Sequence, residues 1–385
     1  MHGMDKSRIA LVHDWLTGMR GGEKCLEVFC ELFPKATVFT LIHKKGSVSP
    51  VIEGMDIRTS FLQSIPGIES HYRQFLPLFP SAIESFDLSD YDLVLSSSHC
   101  VAKGVRAPES ALHICYCYTP MRYAWKFFDE YFAKEGPLKR WFIRKVMSHM
   151  RKWDTRSNKS IDYFIAISHN VKNRIRDFYG SEADVIYPPV DTGKSAPGIK
   201  DEGYYLIVSA LVPYKRVDLA VKAFRETGRR LLVIGEGTEL GSLRGSLYDH
   251  KSNIEFLGWL DDESLGRYYD GCRALIFPGE EDFGIVPVEA QSHGKPVIAY
   301  AAGGALETVI PINNSSDGEQ GPTGVFFFEQ TPSALNRAVD IFEASAAAFK
   351  EDRIMENAAR FGRDRFKREI ADYVSLRWKK HEDTE

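Results

Sequence analysis

The stretch that decides the fold runs Cys272-Arg273-Ala274-Leu275-Ile276-Phe277-Pro278-Gly279-Glu280-Glu281-Asp282-Phe283-Gly284-Ile285-Val286-Pro287-Val288-Glu289. An apolar run reads as a buried strand, a glycine-bearing turn follows, and an apolar helix start closes it. A strand feeding a Gly turn and a helix N-terminus leaves backbone N–H groups pointing outward, which is a pocket for an anion. Two carboxylates, Glu281 and Glu289, stand eight positions apart on either side of that turn. Carboxylates beside a phosphate pocket point to hydroxyl recognition, the outline of a nucleotide-sugar site.

The same strand–turn–helix unit recurs outward in both directions. Before it lie strand candidates Arg8–His13, Ala36–Ile42, Asp92–Ser97, Leu112–Cys117 and Tyr163–Ser168, with helices expected at Gly22–Phe33 and His169–Tyr179. Around it lie Tyr204–Leu211, Arg230–Ile234, Ile254–Leu257, Ala274–Phe277, Pro296–Ala299 and Gly324–Phe328. Such alternation predicts parallel sheets in an α/β protein. The rhythm breaks at Tyr187-Pro188-Pro189-Val190-Asp191 and the small polar residues up to Gly198, where a linker is expected. The reading is two Rossmann-like, doubly wound domains facing a cleft. Residues 1–188 form one and 200–365 the other, and 366–385 is a helix returning to the first. The stretch 352–378 reads as one continuous helix.

A chain of 385 residues is comfortable for two cores. Hydrophobic content of 44%, charged content of 26% and a net charge of −4 suit a soluble protein and give no global reason for nucleic-acid binding. No apolar run approaches a membrane span, and the N-terminus does not read as a secretory signal. The six cysteines form no Cys-x-x-Cys pair and sit in apolar segments, so buried thiols and a cytoplasmic setting are expected.

Four further segments carry chemistry. After the first strand, Gly21 and Gly22 open a helix and let backbone approach a ligand, without the spacing of a P-loop. Val208-Ser209-Ala210-Leu211-Val212-Pro213-Tyr214-Lys215-Arg216 puts two cations at a helix start, where the macrodipole disfavours them, so Lys215 and Arg216 are assigned to a leaving diphosphate. Gly235-Glu236-Gly237 and Gly258-Trp259 offer backbone groups and an apolar wall to a base. Asp90-Tyr91-Asp92 precedes a buried strand and reads as a turn, not a metal site.

The set of motifs resembles the family-4 retaining glycosyltransferases with the GT-B fold: Glu281-x7-Glu289, the donor loop Ser209–Arg216, Gly235-Glu236-Gly237, and Gly303-Gly304 with Glu307. The N-terminal half is similar to the O-antigen mannosyltransferase branch, through Ser97-Ser98-His99-Cys100-Val101-Ala102-Lys103-Gly104 and Tyr116-Cys117-Tyr118-Thr119-Pro120-Met121-Arg122-Tyr123-Ala124-Trp125. The resemblance implies catalytic roles for Glu281, Lys215, Arg216, Tyr118 and His99. It implies donor-binding roles for Gly21, Gly22, Ser209, Gly235, Gly258, Trp259, Phe283, Gly284, Ile285, Val286 and Glu289. It also implies a nucleotide-sugar substrate, a lipid-linked glycan acceptor, and no metal or other cofactor. Two departures stand out: Ala210 where the donor loop commonly has arginine, and Tyr118 where the branch often has histidine. They keep open a nucleotide-sugar-binding subunit with little turnover; a nucleotide-sugar 2-epimerase on the same fold is a further alternative.

Between Lys134 and Lys159, nine Lys or Arg residues interleave with Trp141, Phe142, Ile143, Val146, Met147, Met150 and Trp153. A basic amphipathic helix over 137–153 fits an anionic membrane surface, and it equally fits a helix packing its apolar side on the first domain.

Overall fold

The computed structural model describes residues 7–125, 136–192, 201–247, 253–312 and 321–383. It divides into two units, Met1–Pro189 with Asp364–Glu385, and Val190–Arg363.

Among the described residues, the first unit's sheet has seven parallel strands: β1 (Ile9–His13), β2 (Thr37–Thr40), β3 (Asp56–Thr59), β4 (Leu93–Ser98), β5 (Leu112–Cys117), β6 (Tyr163–Ala166) and β7 (Ala183–Val185). Their order is β3-β2-β1-β4-β5-β6-β7. The second sheet has six: β8 (Tyr204–Val208), β9 (Leu231–Ile234), β10 (Ile254–Gly258), β11 (Cys272–Phe277), β12 (Val297–Tyr300) and β13 (Gly324–Phe327), ordered β10-β9-β8-β11-β12-β13. Each is a doubly wound sheet whose strand order reverses beside its first strand, between β1 and β4 and between β8 and β11. Ligands bind such sheets outside the carboxyl ends of the strands at that reversal.

Central strands are apolar on both faces because helices cover both. In β8, Tyr205 and Ile207 join one buried cluster and Tyr204 and Leu206 the other. In β11 this alternation slips. Cys272 and Leu275 share a face, because the register with β8 shifts between Cys272 and Ala274.

The edge strands β3 and β7 were not expected. β3 reads Asp-Ile-Arg-Thr with only half its residues shielded, and β7 has three residues, so neither carries a buried-strand pattern. The helix expected over 352–378 is two, Glu351–Ala359 and Arg363–Glu382. The break is at Arg360–Gly362, where the chain passes back to the first unit. There the second helix buries Phe366 against Phe29 and Tyr116. Of the expected linker, residues 193–198 lie outside the described residues.

All six cysteines are buried thiols. Burial pushes Cys30 and Cys272 up to about 12, which suppresses the thiolate and its chemistry.

Candidate functional site

In the second unit, the turns that follow β8, β9, β11 and β12 touch one another through glycines. A Cβ on Gly235 would sit 1.9 Å from the Ser209 carbonyl oxygen, and one on Gly237 2.3 Å from that of Leu211. A Cβ on Gly279 would lie 2.8 Å from the Lys215 Cα. One on Gly303 would lie 2.2 Å from the Glu281 carbonyl oxygen, and one on Gly304 2.2 Å from that of Phe283. Real Cβ atoms tolerate none of these contacts, so the Gly-x-Gly and Gly-Gly pairs are there because backbone meets backbone. The Gly304 N–H donates to Glu281 O at 2.8 Å, and Gly235 N–H to Gly258 O at 2.7 Å.

This packing brings Ser209, Lys215, Gly235, Glu281 and Phe283 into one loop cluster. The Lys215 ammonium pairs with the Glu281 carboxylate and lies 5.4 Å from the Tyr214 ring centroid. Gly284, in the left-handed region at φ 88°, caps the helix Ile285–Ser292. Phe283 is buried, while Ile285 and Val286 form a half-buried first turn. Glu289 lies one turn on and accepts from the Tyr269 hydroxyl at 3.2 Å. Gly258, also left-handed, ends β10, and Trp259 beside it is 72% exposed.

Arg216, beside Lys215, makes contacts of its own. The sequence reading assigns it to the diphosphate, but its guanidinium donates to Asp218 at 3.3 Å and to Gln330 at 3.1 Å. Gln330 in turn donates to Pro278 O at 3.0 Å. Its backbone is left-handed at φ 54°, a strain of about 1 kcal/mol for a side chain with a Cβ. Asp218, in the first helical turn, offsets the cation that the helix N-terminus disfavours. Arg216 therefore braces the loop, and Lys215 alone faces the Glu281 carboxylate.

The first unit builds a different site at its own reversal. Asp14, directly after β1, is fully buried. It accepts the backbone N–H groups of His99 (2.7 Å), Cys100 (3.0 Å), Val101 (2.6 Å) and Ala102 (2.7 Å), and lies 2.9 Å from His99 Nδ1. Burial alone would raise its pKa, but the His99 and His13 charges and these hydrogen bonds win, and it falls to about 2. The carboxylate takes the Nδ1–H and so orients the ring, which is 34% exposed and carries Nε2 on its far side. The ring stands edge-on to Trp15 at 4.5 Å.

Tyr118 lies 6.3 Å from the His99 ring. Its hydroxyl is occupied, donating to Gly22 O at 2.8 Å and meeting Ser97 Oγ at 2.7 Å. Ser97 Oγ also meets His13 Nδ1 at 3.0 Å, and His13 Nε2 stands 3.9 Å from Glu23. Burial holds the phenol well above its ordinary range. Tyr118 is thus part of the frame that holds Gly22 and the helix Gly21–Leu32. Sequence reasoning assigned no role to His13, Asp14 or Glu23. The only signal was a polar pair, His13-Asp14, closing an otherwise apolar strand.

The helix Pro137–Arg156 packs one of its ends on the first unit. Met147, Met150 and Trp153 are buried in the core, and the Lys103–Asp154 pair at 3.0 Å anchors that end. At the other end Leu138 (80%), Trp141 (59%) and Phe142 (62%) are exposed. Residues 134 and 135 lie outside the described residues. Among the described residues no helix is long and apolar enough to cross a membrane, and no group of three His, Cys, Asp or Glu is placed to hold a metal ion.

The family model described as Glycosyl transferases group 1 matches residues 191–361. The match falls within the second unit and covers nearly all of it. The loop cluster of Lys215, Glu281 and Glu289 lies wholly within it. The chain is 27% identical to an O-antigen chain mannosyltransferase of Salmonella typhimurium, over 51% of this chain and 58% of that one. It is 22% identical to an alpha-1,3/1,6-mannosyltransferase of Kluyveromyces lactis, over 88% and 76%. The chain spans about half the length of the first curated relatives it matches, 43% and 58%. In fold it is similar to an Anabaena protein, HepE, solved in complex with UDP. The TM-score is 0.66 at 17% identity, covering 96% of this chain and 100% of that one. The GT-B fold read from the motifs therefore stands.

Proposed function

We propose that the protein is a retaining, metal-independent glycosyltransferase that moves a hexose from a nucleotide-sugar onto a lipid-linked surface polysaccharide precursor. The observation that carries this is the meeting of Lys215, Glu281 and the N-terminus of the helix Ile285–Ser292 at the sheet's reversal, inside the residues that the group 1 family model matches. A diphosphate arriving there takes the Lys215 ammonium from Glu281 and accepts from the open N–H groups of Ile285 and Val286. Glu281, released, turns to the sugar hydroxyls, and Glu289 to those of the ribose. Trp259 offers its exposed ring to the base.

As the bond from the sugar's anomeric carbon to the diphosphate breaks, negative charge collects where Lys215 and the helix end already point. The acceptor hydroxyl adds to the same face, and its proton passes to the departing phosphate. His99 Nε2, on a ring held by Asp14, hydrogen-bonds a substrate hydroxyl in the first unit. Relatives named as GDP-mannose-dependent mannosyltransferases make GDP-mannose the first donor to test. The exposed Leu138, Trp141 and Phe142 on a cationic helix fit a peripheral position on the inner face of the cytoplasmic membrane.

The test is proton NMR of the full chain with GDP-mannose, UDP-glucose and ADP-glucose, in EDTA, with and without membrane extract. Turnover of GDP-mannose to an α-linked product is expected. A β-linked product contradicts retention, loss of turnover in EDTA contradicts metal independence, and an epimerised sugar released without acceptor points to the epimerase. Trp141→Ser with Phe142→Ser should weaken sedimentation with phosphatidylglycerol vesicles by about tenfold. Unchanged sedimentation removes the membrane role.

A further inference from the structure

Beside the first unit's switch point lies a recess of about 280 Å³ that the donor chemistry does not use. Arg20, Lys44, Arg73 and His71 line it, against one acid, Glu69, with Thr17 on its wall. Three segments bring these side chains together. The loop after β1 is stitched to residues 42–44 by Leu16 N–H to Ile42 O and Lys44 N–H to Leu16 O, both 2.8 Å. The segment 69–74 is held to the same loop by Tyr72 against Trp15, ring centroids 5.0 Å apart.

The three cations make no ion pair with any described residue, although acids are plentiful and other arginines, such as Arg229 with Asp340 and Glu343, find them. The Arg73 guanidinium lies over the Tyr72 ring at 5.6 Å. Concentrating like charge in a concave site costs repulsion unless an anion compensates it. Trp15, whose ring touches Tyr72, also touches His99 at 4.5 Å. One indole therefore separates the cationic recess from the exposed imidazole.

We infer that this recess binds the phosphate or diphosphate of the acceptor, placing an acceptor hydroxyl near His99. The inference rests on the glycosyltransferase reading, and it names the acceptor as a phosphorylated compound. Arginine and lysine together suit a diphosphate, with forked donors for the oxygens and a mobile ammonium for the remaining charge.

The probe is inorganic pyrophosphate, titrated calorimetrically into the full chain and two variants. One is Lys215→Ala with Glu289→Ala, which disables the donor loops. The other is Arg20→Ala with Lys44→Ala and Arg73→Ala, all at exposed positions, and Arg73→Glu alone serves if the triple variant melts early. Pyrophosphate binding that survives in the donor variant and weakens roughly tenfold or more in the recess variant is expected. Binding in the recess variant equal to wild type, with all binding lost in the donor variant, overturns the recess and leaves the donor reading intact. Recess binding without any nucleotide-sugar binding spares the recess as an anion site and removes its assignment to an acceptor. Sedimentation with phosphatidylglycerol vesicles separates the sources. Unchanged vesicle binding of the recess variant supports the acceptor's own diphosphate over a bilayer headgroup, and lost vesicle binding with unchanged pyrophosphate affinity assigns the recess to lipid headgroups and overturns the proposal.

Discussion

The two units place polar sites at the same topological position and build them by different means. In the second unit, backbone is brought against backbone by glycines, a lysine and a glutamate stand on the resulting loops, and a second glutamate stands one turn into the helix that follows. In the first, one buried aspartate gathers four backbone N–H groups and an imidazole, and a Tyr–Ser–His chain holds the neighbouring helix start. The glycine-built site tolerates almost no added atom. The aspartate-built site depends on one charge. This difference is chemical and can be broken experimentally from either side.

The largest effect is expected from Lys215→Ala, which should lower kcat by about 10²–10³-fold while the chain keeps its melting temperature. Arg216→Ala should lose no more than about tenfold, since its guanidinium braces Asp218 and Gln330. Equal losses in the two variants would restore Arg216 to the diphosphate.

Next comes Gly303→Ala. Its Cβ must enter a 2.2 Å gap to the Glu281 carbonyl at a left-handed φ of 63°, costing about 2–4 kcal/mol by urea unfolding. Gly241→Ala, in a helix with nothing within 4 Å of the new Cβ, should instead stabilise by about 0.5–1 kcal/mol. If both glycines behave alike, close packing is not what the loop cluster depends on.

Asp14→Asn probes the other construction. The native carboxyl is depressed from 3.8 to about 2, so its contribution is present above the unfolded value and lost as pH falls from about 4 to 2. That shift corresponds to about 2 kcal/mol at neutral pH. The variant should lose it at pH 7 and show a flatter acid limb in that window. An unaltered acid limb would mean that His99 is oriented by something else.

The contrast also explains what was legible. Glycines at 235, 237, 279, 303 and 304 are visible in sequence because no other residue fits, and Lys215 and Glu281 could be read beside them. Asp14, His13 and Glu23 are ordinary residue types, and their meaning comes from strands β1 and β4 lying side by side though far apart in sequence. Both sheets were legible through their two-faced apolar strands, whereas β3 and β7 escaped because edge strands need no such pattern. The direction of Arg216 was not legible either, since its partner Gln330 lies more than a hundred residues away.

The most direct test of the central claim is a thermal-shift series with GDP-mannose, UDP-glucose and ADP-glucose on the wild type and on Glu289→Ala. A donor at a hundred times its Kd adds about 2.7 kcal/mol to the unit that binds it. At least one nucleotide-sugar, GDP-mannose first, should therefore raise the wild-type melting temperature by several degrees, and that rise should shrink in Glu289→Ala. No shift with any of the three, or an undiminished shift in the variant, would contradict the donor site built on Lys215, Glu281 and Glu289.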